Sequence, residues 1–437
     1  MQPVLIIADD LTGAADTGIQ FLRTGSPAYL ISSVEWPVVD FPEPPGVLAV
    51  YTHTRHLPAG AAAQRLKAVA KYLQTFHPGK IYKKIDSCLR GNLGAELDAL
   101  LDACMLEAGF IAPAYPGQQR VTIHDIHRVN GIPVAETEMA RDPISPVAES
   151  RLSVLLSAQS RHKIGRIDID LLSGDVRNVI SEVRRCLEKG CRHIVFDAAT
   201  QQHLDIIAGL GATVFDTCLL AGSAGLAISL AGRRPQYTHG RCRMRSAAKG
   251  TVLWICGSFS HTLAQQSDRL VQKSGCPRFM LDPRVLAAGP ETREHAPIVR
   301  QAARLLENDD LVLQIAAGGE KPIAPPAGAI LAGLAKLAAG VIRTRPPDGL
   351  FLSGGDTAHA VLQAIGAAGI RLCSEPAPGV ISGTLLGGRM AGRPVVTKAG
   401  AFGETDALVQ ASERVFRASR SKPPADGLPH SPPGANG

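Results

Sequence analysis

The sequence predicts an α/β fold with two α/β domains and mainly parallel sheets, and three observations lead there. Short runs rich in Val, Ile and Leu alternate with Ala/Leu/Arg stretches of helical spacing, and continuously apolar strands separated by helices imply a parallel sheet covered on both faces. At 437 residues the chain has the length of two or three domains, at a typical ~100–200 residues each. Aromatic residues are only 4%, against 44 Gly and 31 Pro, which suits helices packed on a sheet better than an aromatic-rich β-sandwich. With 45% of residues apolar, a wholly disordered chain is excluded.

The first strand series is PVLIIA from Pro3, VLAVYT from Val47, KIYKKI from Lys80, GFIAPAY from Gly109 and HIVFDA from His193. A second begins after residue 250 with TVLWICGS, DLVLQIA, GLFLSGGDT, GVISGTLL and PVVTKAG. Between them lies AGRRPQYTHGRCRMRSAAKG, polar, basic and punctuated by glycine, the composition of a linker. The expected division is a first domain over 1–235, a linker over 236–250, a second domain over 251–416 and a disordered tail over 417–437. The last twenty residues hold five Pro and almost no apolar side chains, too few to offset the entropy of ordering them.

Forty-six Lys+Arg against thirty-nine Asp+Glu leave a net charge of +7. The basic residues form no long cluster outside Arg233 to Arg245, so no nucleic-acid partner is expected. Nine scattered cysteines, never spaced as CxxC, read as reduced core residues of a cytoplasmic protein. The opening MQPVLIIADDLTG has no basic n-region and no long apolar stretch, and no apolar run reaches the ~18 residues of a membrane span, so no membrane partner is expected.

Chemistry concentrates where strands end. In IIADDLTGAADTG, residues 6–18, a buried strand runs into Asp9 and Asp10, and Thr12-Gly13 opens a helix of small residues; in open parallel sheets this edge binds ligands. The two acids either cap the helix or accept hydrogen bonds from hydroxyls, and Asp16 on the first turns is ambiguous. In YKKIDSCLRGN, residues 82–92, Lys83 and Lys84 point to opposite faces, so at most one meets a ligand directly. Asp86, Ser87 and Arg90 follow at the same edge, as does Arg55 after the second strand, whose planar fork suits a carboxylate. Cations and acids converging there suit a small molecule carrying a carboxylate and alcohols. The HxxH pairs His53/His56 and His124/His127 lack the further ligands of a metal site and read as loop histidines. Residues 112–134 read as a loop over the site followed by a β-hairpin, and RDPISPVAES (141–150) as an ordered projecting loop.

The second domain carries three strand–glycine–helix junctions: Gly257-Ser258, Gly354-Gly355-Asp356-Thr357, and Gly400 with Gly403 near Lys398. A helix N-terminus with free N–H groups binds phosphate, and three such turns on one sheet edge make a nucleotide pocket. There is no GxxxxGK[ST], no GxGxxG after a strand and no GxSxG elbow, which sets aside Walker-type ATPases, weakens a dinucleotide oxidoreductase and leaves no serine-hydrolase signature.

IADDLTGAADTG, KKIDSCLRGN, DPISPV, GSFS, SGGDTAHAVL and RPVVTKAGAFGETDAL together resemble, in order and spacing from about residue 3 to 415, the four-carbon acid sugar kinases. The resemblance implies an N-terminal acid-sugar-binding domain, a C-terminal nucleotide-binding domain, and ATP-dependent phosphorylation of the terminal hydroxyl of a tetronic or oxo-tetronic acid. ETEMARDPISPV looks most like the D-threonate branch, whose product passes to a PdxA-like dehydrogenase; D-erythronate and 3-oxo-tetronate kinases are the near relatives. Carried over, Asp10, Arg55 and the run Lys83, Lys84, Ile85 and Asp86 contact the acid sugar, while Ser258, Gly354, Gly355, Asp356, Thr357 and Gly400 contact ATP; Arg90 joins the sugar-acid contacts by its position at the same strand edge. Cys88 stands where the family commonly has Thr, Ala401 where it has Gly, and QQRVTIHDIH departs from the usual GRTTxxGxH.

The implied partners are a sugar acid and ATP with Mg²⁺, with a homodimer left open. On this reading Arg55 and Lys83 or Lys84 hold the substrate carboxylate, Asp10 and Asp86 orient hydroxyls, and glycine turns cradle the phosphates. Asp356 is the first choice of catalytic base, beside the transferring group; Asp10 or Asp86 is the rival. A sugar-acid sensor without catalysis is the alternative from a different class, disfavoured by the absence of a visible DNA-binding or partner domain.

Overall fold

The computed structural model describes residues 2–32, 39–142, 144–234, 250–289, 293–316, 326–400 and 403–417. The N-terminal half contributes β1 (Val4–Ala8), β2 (Ala28–Ser32), β3 (Val47–Tyr51), β4 (Lys80–Lys84) and β5 (Gly109–Ala112). A separate ribbon follows, β6 (Arg120–Ile123), β7 (Ile126–Val129) and β8 (Ile132–Pro133), then β9 (Lys163–Ile167), β10 (Cys191–Phe196) and β11 (Leu219–Gly222). The C-terminal half adds β12 (Val252–Cys256), β13 (Arg278–Leu281), β14 (Leu311–Ile315), β15 (Gly349–Ser353), β16 (Gly369–Ala377), β17 (Val380–Leu386) and β18 (Pro394–Lys398).

Among the described residues, fifteen of these strands form one sheet in the order β13-β14-β12-β15-β18-β17-β16-β2-β3-β1-β4-β11-β5-β10-β9. Each half is an α/β unit, and within this sheet the pairings are parallel except those made by β16 and β17, while the β6–β7–β8 ribbon is antiparallel. The two halves fuse where β16 pairs antiparallel with β2, Gly369 opposite Ile31 and Arg371 opposite Tyr29. A Cβ on Gly369 would lie 2.4 Å from the Leu30 carbonyl oxygen, so glycine is what admits this approach. Arg371 also ion-pairs with Glu43 across the seam.

Sheet faces follow from strand alternation. Val4, Ile6 and Ala8 join a core that continues into the C-terminal half through Leu253 and Ile255. Leu5 and Ile7 face the other way, onto Leu48, Val50, Leu66 and Leu97. All ten strand runs read from the sequence are strands, but β2, β9, β11, β13 and β16 are additional. Lys163–Ile167 and Gly369–Ala377 are interrupted by Gly and polar residues, which hides them from an apolar-run criterion. GVISGTLL belongs to an antiparallel hairpin, because Pro378-Gly379, with Gly379 at φ 68°, is too short to make a parallel crossover.

The helix Ala327–Thr344 is, among the described residues, the one long and apolar enough by composition to cross a membrane. Half of it is buried inside the molecule; Ile330, Leu334, Leu337 and Val341 pack into the core, and it carries Lys336 and Arg343. Among the described residues seven cysteines are free. Cys373 departs from the expected reduced state and is disulfide-bonded. The expected linker lies outside the described residues except Gly250, and the tail except Arg417.

Candidate active site: two cavities that share a wall

β1 ends at Ala8, and Asp10 caps the helix Leu11–Gln20, its Oδ1 accepting from the Gly13 N–H at 3.0 Å and its Oδ2 from Thr12 Oγ1 at 2.6 Å. The loop after β3 is laid across this edge: Thr52 donates to the Ala8 carbonyl and the Thr54 N–H to the Asp9 carbonyl. Asn92 Nδ2 ties the LRGN turn to the same loop through the Thr54 and Leu57 carbonyls. Arg55 is thereby brought over both acids. Its Nε donates to Asp9 Oδ2 at 2.7 Å and its Nη2 to Asp9 Oδ1 at 3.0 Å, with Nη2 also 2.9 Å from Asp10 Oδ1 and 4.0 Å from Asp86.

These residues open on a cavity of about 160 Å³ at the β1/β4 edge. Asp86 takes Arg90 through Nε at 2.7 Å and Nη2 at 3.3 Å. Burial alone would raise the Asp86 pKa, but Arg90 and Arg55 override it and hold the carboxyl well below its usual range. Asp9 is likewise ionised by Arg55 against the effect of burial. Arg120, from β6, donates to Ser87 Oγ at 2.6 Å, and His127 bonds the Ser87 carbonyl through Nε2 at 2.8 Å, so the ribbon grips Ser87 from two sides. Burial pushes His127 down to about 4, leaving it a neutral ring.

The two lysines separate as alternation requires. Lys83 is 1% exposed and its Nζ is 2.6 Å from Glu96 Oε2 beneath the sheet; it does not line the cavity. Lys84 does, with no hydrogen-bond or ion-pair partner among the described residues. Ile85 is a core residue whose N–H donates to the Gly222 carbonyl. Arg55 lines the cavity with its fork engaged by Asp9 and Asp10.

A larger cavity, about 810 Å³, lies on the C-terminal side. Its glycine turns interlock: a Cβ on Gly257 would meet Thr357 Oγ1 at 2.1 Å, and one on Gly400 would meet Ser258 Oγ at 2.8 Å. Gly354 sits at φ 104°, and its N–H donates to the Lys398 carbonyl at 2.8 Å. The helix Gly355–Ala364 points its N-terminus into this space, and Ile330, Leu331 and Ala335 supply an apolar wall, a phosphate end and a slot for a flat apolar ring. Asp356, with a side chain 52% exposed, stands 3.8 Å from His53 Nδ1. His53 stacks on His359, ring centroids 4.5 Å apart. Burial lowers the His53 pKa, partly offset by Asp356. No cluster of three metal-binding side chains occurs among the described residues, but one open carboxylate beside a phosphate site fits Mg²⁺, which takes one or two carboxylates plus substrate phosphates.

The cavities meet at a thin wall. A Cβ on Gly355 would lie 3.4 Å from Thr12 Cγ2 and 3.7 Å from Asp10 Oδ2. Beside it Lys398, 1% exposed, lines the first cavity while its Nζ donates to the Ala399 carbonyl at 2.7 Å and to the Gly400 carbonyl at 2.9 Å. Burial pushes its ammonium down to about 8.

Asp10, Arg55, Lys84, Asp86 and Arg90 therefore come together in one cavity, and Ser258, Gly354, Gly355, Asp356, Thr357 and Gly400 in the other. Asp16, Tyr115, Arg120, Glu375 and Lys398 also line the first cavity, and His53 and His359 the second. For Asp16 and Lys398 the sequence carried a faint signal, a polar residue beside a glycine turn. For Glu375 and His53 it carried none, because both reach their places across the junction of the two halves. Asp142, in the projecting loop, lies 3.5 Å from Arg90 Nη1.

Comparison with known proteins adds to this geometry. A profile described as a sugar-binding N-terminal domain matches residues 4–230, and one described as a nucleotide-binding C-terminal domain matches 253–408. A D-threonate kinase of Bordetella bronchiseptica is 32% identical over 413 residues, 94% of this chain and 96% of its own. A D-erythronate kinase of Heliobacterium modesticaldum is 30% identical over 432 residues, 93% and 95% respectively. A solved structure from Salmonella typhimurium LT2 shares the fold with a TM-score of 0.78 at 24% identity, covering 95% of this chain and 100% of that one.

Proposed function

The chain belongs to the four-carbon acid sugar kinase family, and from that premise we propose that it phosphorylates the 4-hydroxyl of D-threonate, giving 4-phospho-D-threonate and ADP. D-erythronate and 3-oxo-tetronates are the alternative acceptors. The observation that carries the reading is the wall at Asp10, Gly355 and Lys398, because a phosphoryl group passing from nucleotide to sugar acid has to cross between the two cavities there.

In the sugar cavity, Lys84 and Arg120 receive the substrate carboxylate, while Arg55 fixes Asp9 and Asp10 and Arg90 fixes Asp86. The 4-hydroxyl oxygen attacks the γ-phosphorus in line, the bond from that phosphorus to the β,γ-bridging oxygen breaks, and ADP leaves with that oxygen. The hydroxyl proton goes to Asp10. We prefer Asp10 to Asp356 as acceptor because it faces the sugar cavity and abuts Gly355, whereas Asp356 faces the nucleotide cavity and His53. Asp86 is held by Arg90, and the carboxylate oxygen nearest Gly355 belongs to Asp10. Glycine-turn N–H groups and Lys398 meet the phosphates, where fixed donors stabilise charge without reorganising. Asp356 would hold Mg²⁺, which when bound neutralises phosphate charge.

On this reading the enzyme works in the cytoplasm, and its product passes to a PdxA-like dehydrogenase. Phosphorus NMR of a reaction of D-threonate with Mg-ATP tests the assignment. A new phosphomonoester coupled to the C4 methylene protons is expected, and a phosphorylated secondary carbon would contradict it.

A further inference from the structure

The sugar-acid cavity is not built by the N-terminal half alone. The β16–β17 hairpin reaches over from the nucleotide-binding half and contributes Glu375, Pro378, Gly379 and Ile381 to its lining. Glu375 is held in place by its own turn, Oε1 accepting from the Gly379 N–H at 2.9 Å. The strand bearing it is anchored to the N-terminal half by the β16–β2 pairing and by Arg371 with Glu43.

Asp16 lines the same cavity from the helix Leu11–Gln20, and its carboxylate makes no hydrogen bond or ion pair among the described residues. Burial pushes it up to about 6; Lys84 and Arg120 oppose the rise, Glu375 and Asp10 add to it. Carboxylate oxygens accept hydrogen bonds, so a hydrogen-bond donor is the ligand group that suits them. A four-carbon sugar acid offers three kinds of polar group: a carboxylate, a terminal hydroxyl and the substituents at C2 and C3. The first suits Lys84 and Arg120, and the second belongs at the Asp10 wall. Of the carboxylates lining the cavity, Asp10 stands at the wall and Asp86 is engaged by Arg90, which leaves Asp16 and Glu375.

We propose that Asp16 and Glu375 are the specificity-determining pair that reads the secondary hydroxyls, so that the nucleotide-binding half supplies part of the sugar-acid site. This rests on the acid sugar kinase reading above. It gives the two halves a chemical reason to share one site: the substrate is held by both before transfer, and a hairpin moved away from β2 would leave the sugar acid half recognised. It also predicts that an acid bearing a ketone in place of one secondary hydroxyl is disfavoured, since a ketone cannot donate.

The test uses the full chain, with steady-state kinetics on D-threonate and its 2-deoxy and 3-deoxy analogues. The wild type should discriminate against a deoxy analogue strongly, about 10²-fold or more, because a missing hydroxyl leaves a buried acceptor unpaired. Glu375→Gln keeps an acceptor oxygen for the Gly379 N–H, so the hairpin is preserved. It should raise KM for D-threonate about tenfold with KM for ATP unchanged, and Glu375→Ala should erase most of the discrimination against one analogue. Asp16→Asn should do the same for the other. Unchanged discrimination in all three variants, or a parallel rise in KM for ATP, would overturn the assignment. A wild type that turns over no four-carbon sugar acid would contradict the kinase reading itself, and this inference with it.

Discussion

The Arg55 guanidinium is chelated by Asp9, Nε to Oδ2 at 2.7 Å and Nη2 to Oδ1 at 3.0 Å, and the same Nη2 reaches Asp10 at 2.9 Å. One cation thus bridges two adjacent acids at a strand end where they would otherwise repel. Arg55→Lys replaces a planar fork with a point charge that cannot serve both. It should lower kcat/KM for the sugar acid about tenfold to a hundredfold, the equivalent of one or two charge-assisted hydrogen bonds. Arg55→Ala, which leaves Asp9 buried and unpaired, should also destabilise the fold by about 3–5 kcal/mol in denaturant unfolding.

Lys83 and Lys84 are neighbours on opposite faces of the strand, Lys83 against Glu96 and Lys84 in the cavity lining. Lys83→Met strands Glu96, which is 2% exposed, and should cost about 3–5 kcal/mol of stability with KM for the sugar acid unchanged in the folded fraction. Lys84→Met removes a cation that faces the cavity, and should raise that KM about tenfold or more while moving stability by less than about 1 kcal/mol. Paired melting curves and kinetics separate the two.

The interlocked glycine turns predict a selective loss on the nucleotide side. Gly257→Ala would drive a methyl into Thr357 Oγ1, 2.1 Å from the ideal Cβ position, and overpacking of this kind costs about 1–3 kcal/mol. The expected result is a rise in KM for ATP of about tenfold, with KM for the sugar acid little changed. Gly400→Ala, facing Ser258 Oγ at 2.8 Å, should act in the same direction and less strongly.

Strand existence was legible in the sequence wherever a run was buried on both faces, as at Val4–Ala8 or Val252–Cys256, because continuous apolar runs leave little ambiguity. The fusion of the two halves was not, since Gly369–Ala377 is half polar and its pairing with Ala28–Ser32 spans more than three hundred positions. The site divides along the same line. Asp10, Asp86, Ser258 and Gly354 stand at strand ends, where topology alone puts them on one edge. Arg55 was legible as a site residue but not as one already engaged by acids, because an ion pair depends on side-chain reach. Glu375 and His359 belong to the second half and complete a site or a ring stack begun in the first, which no local pattern records.

Burial pushes the Lys398 ammonium down to about 8, below a lysine's ordinary value, and a phosphate brought beside it would favour the protonated form and raise that value again. Nucleotide affinity should therefore be full below pH 8 and weaken as pH rises through about 8, by up to about tenfold per pH unit. Just above that pH, binding should take up a proton, seen by calorimetry in buffers of different ionisation heat. Lys398→Met should abolish both the proton uptake and the pH dependence.

The most direct test of the account is ADP release by the full chain with Mg-ATP in the presence of D-threonate, D-erythronate or a 3-oxo-tetronate. The account predicts ADP formed in step with a 4-phosphorylated acid, with the highest kcat/KM on D-threonate. Tight binding of these acids with no ADP from any of them would contradict it and leave a sugar-acid sensor in its place.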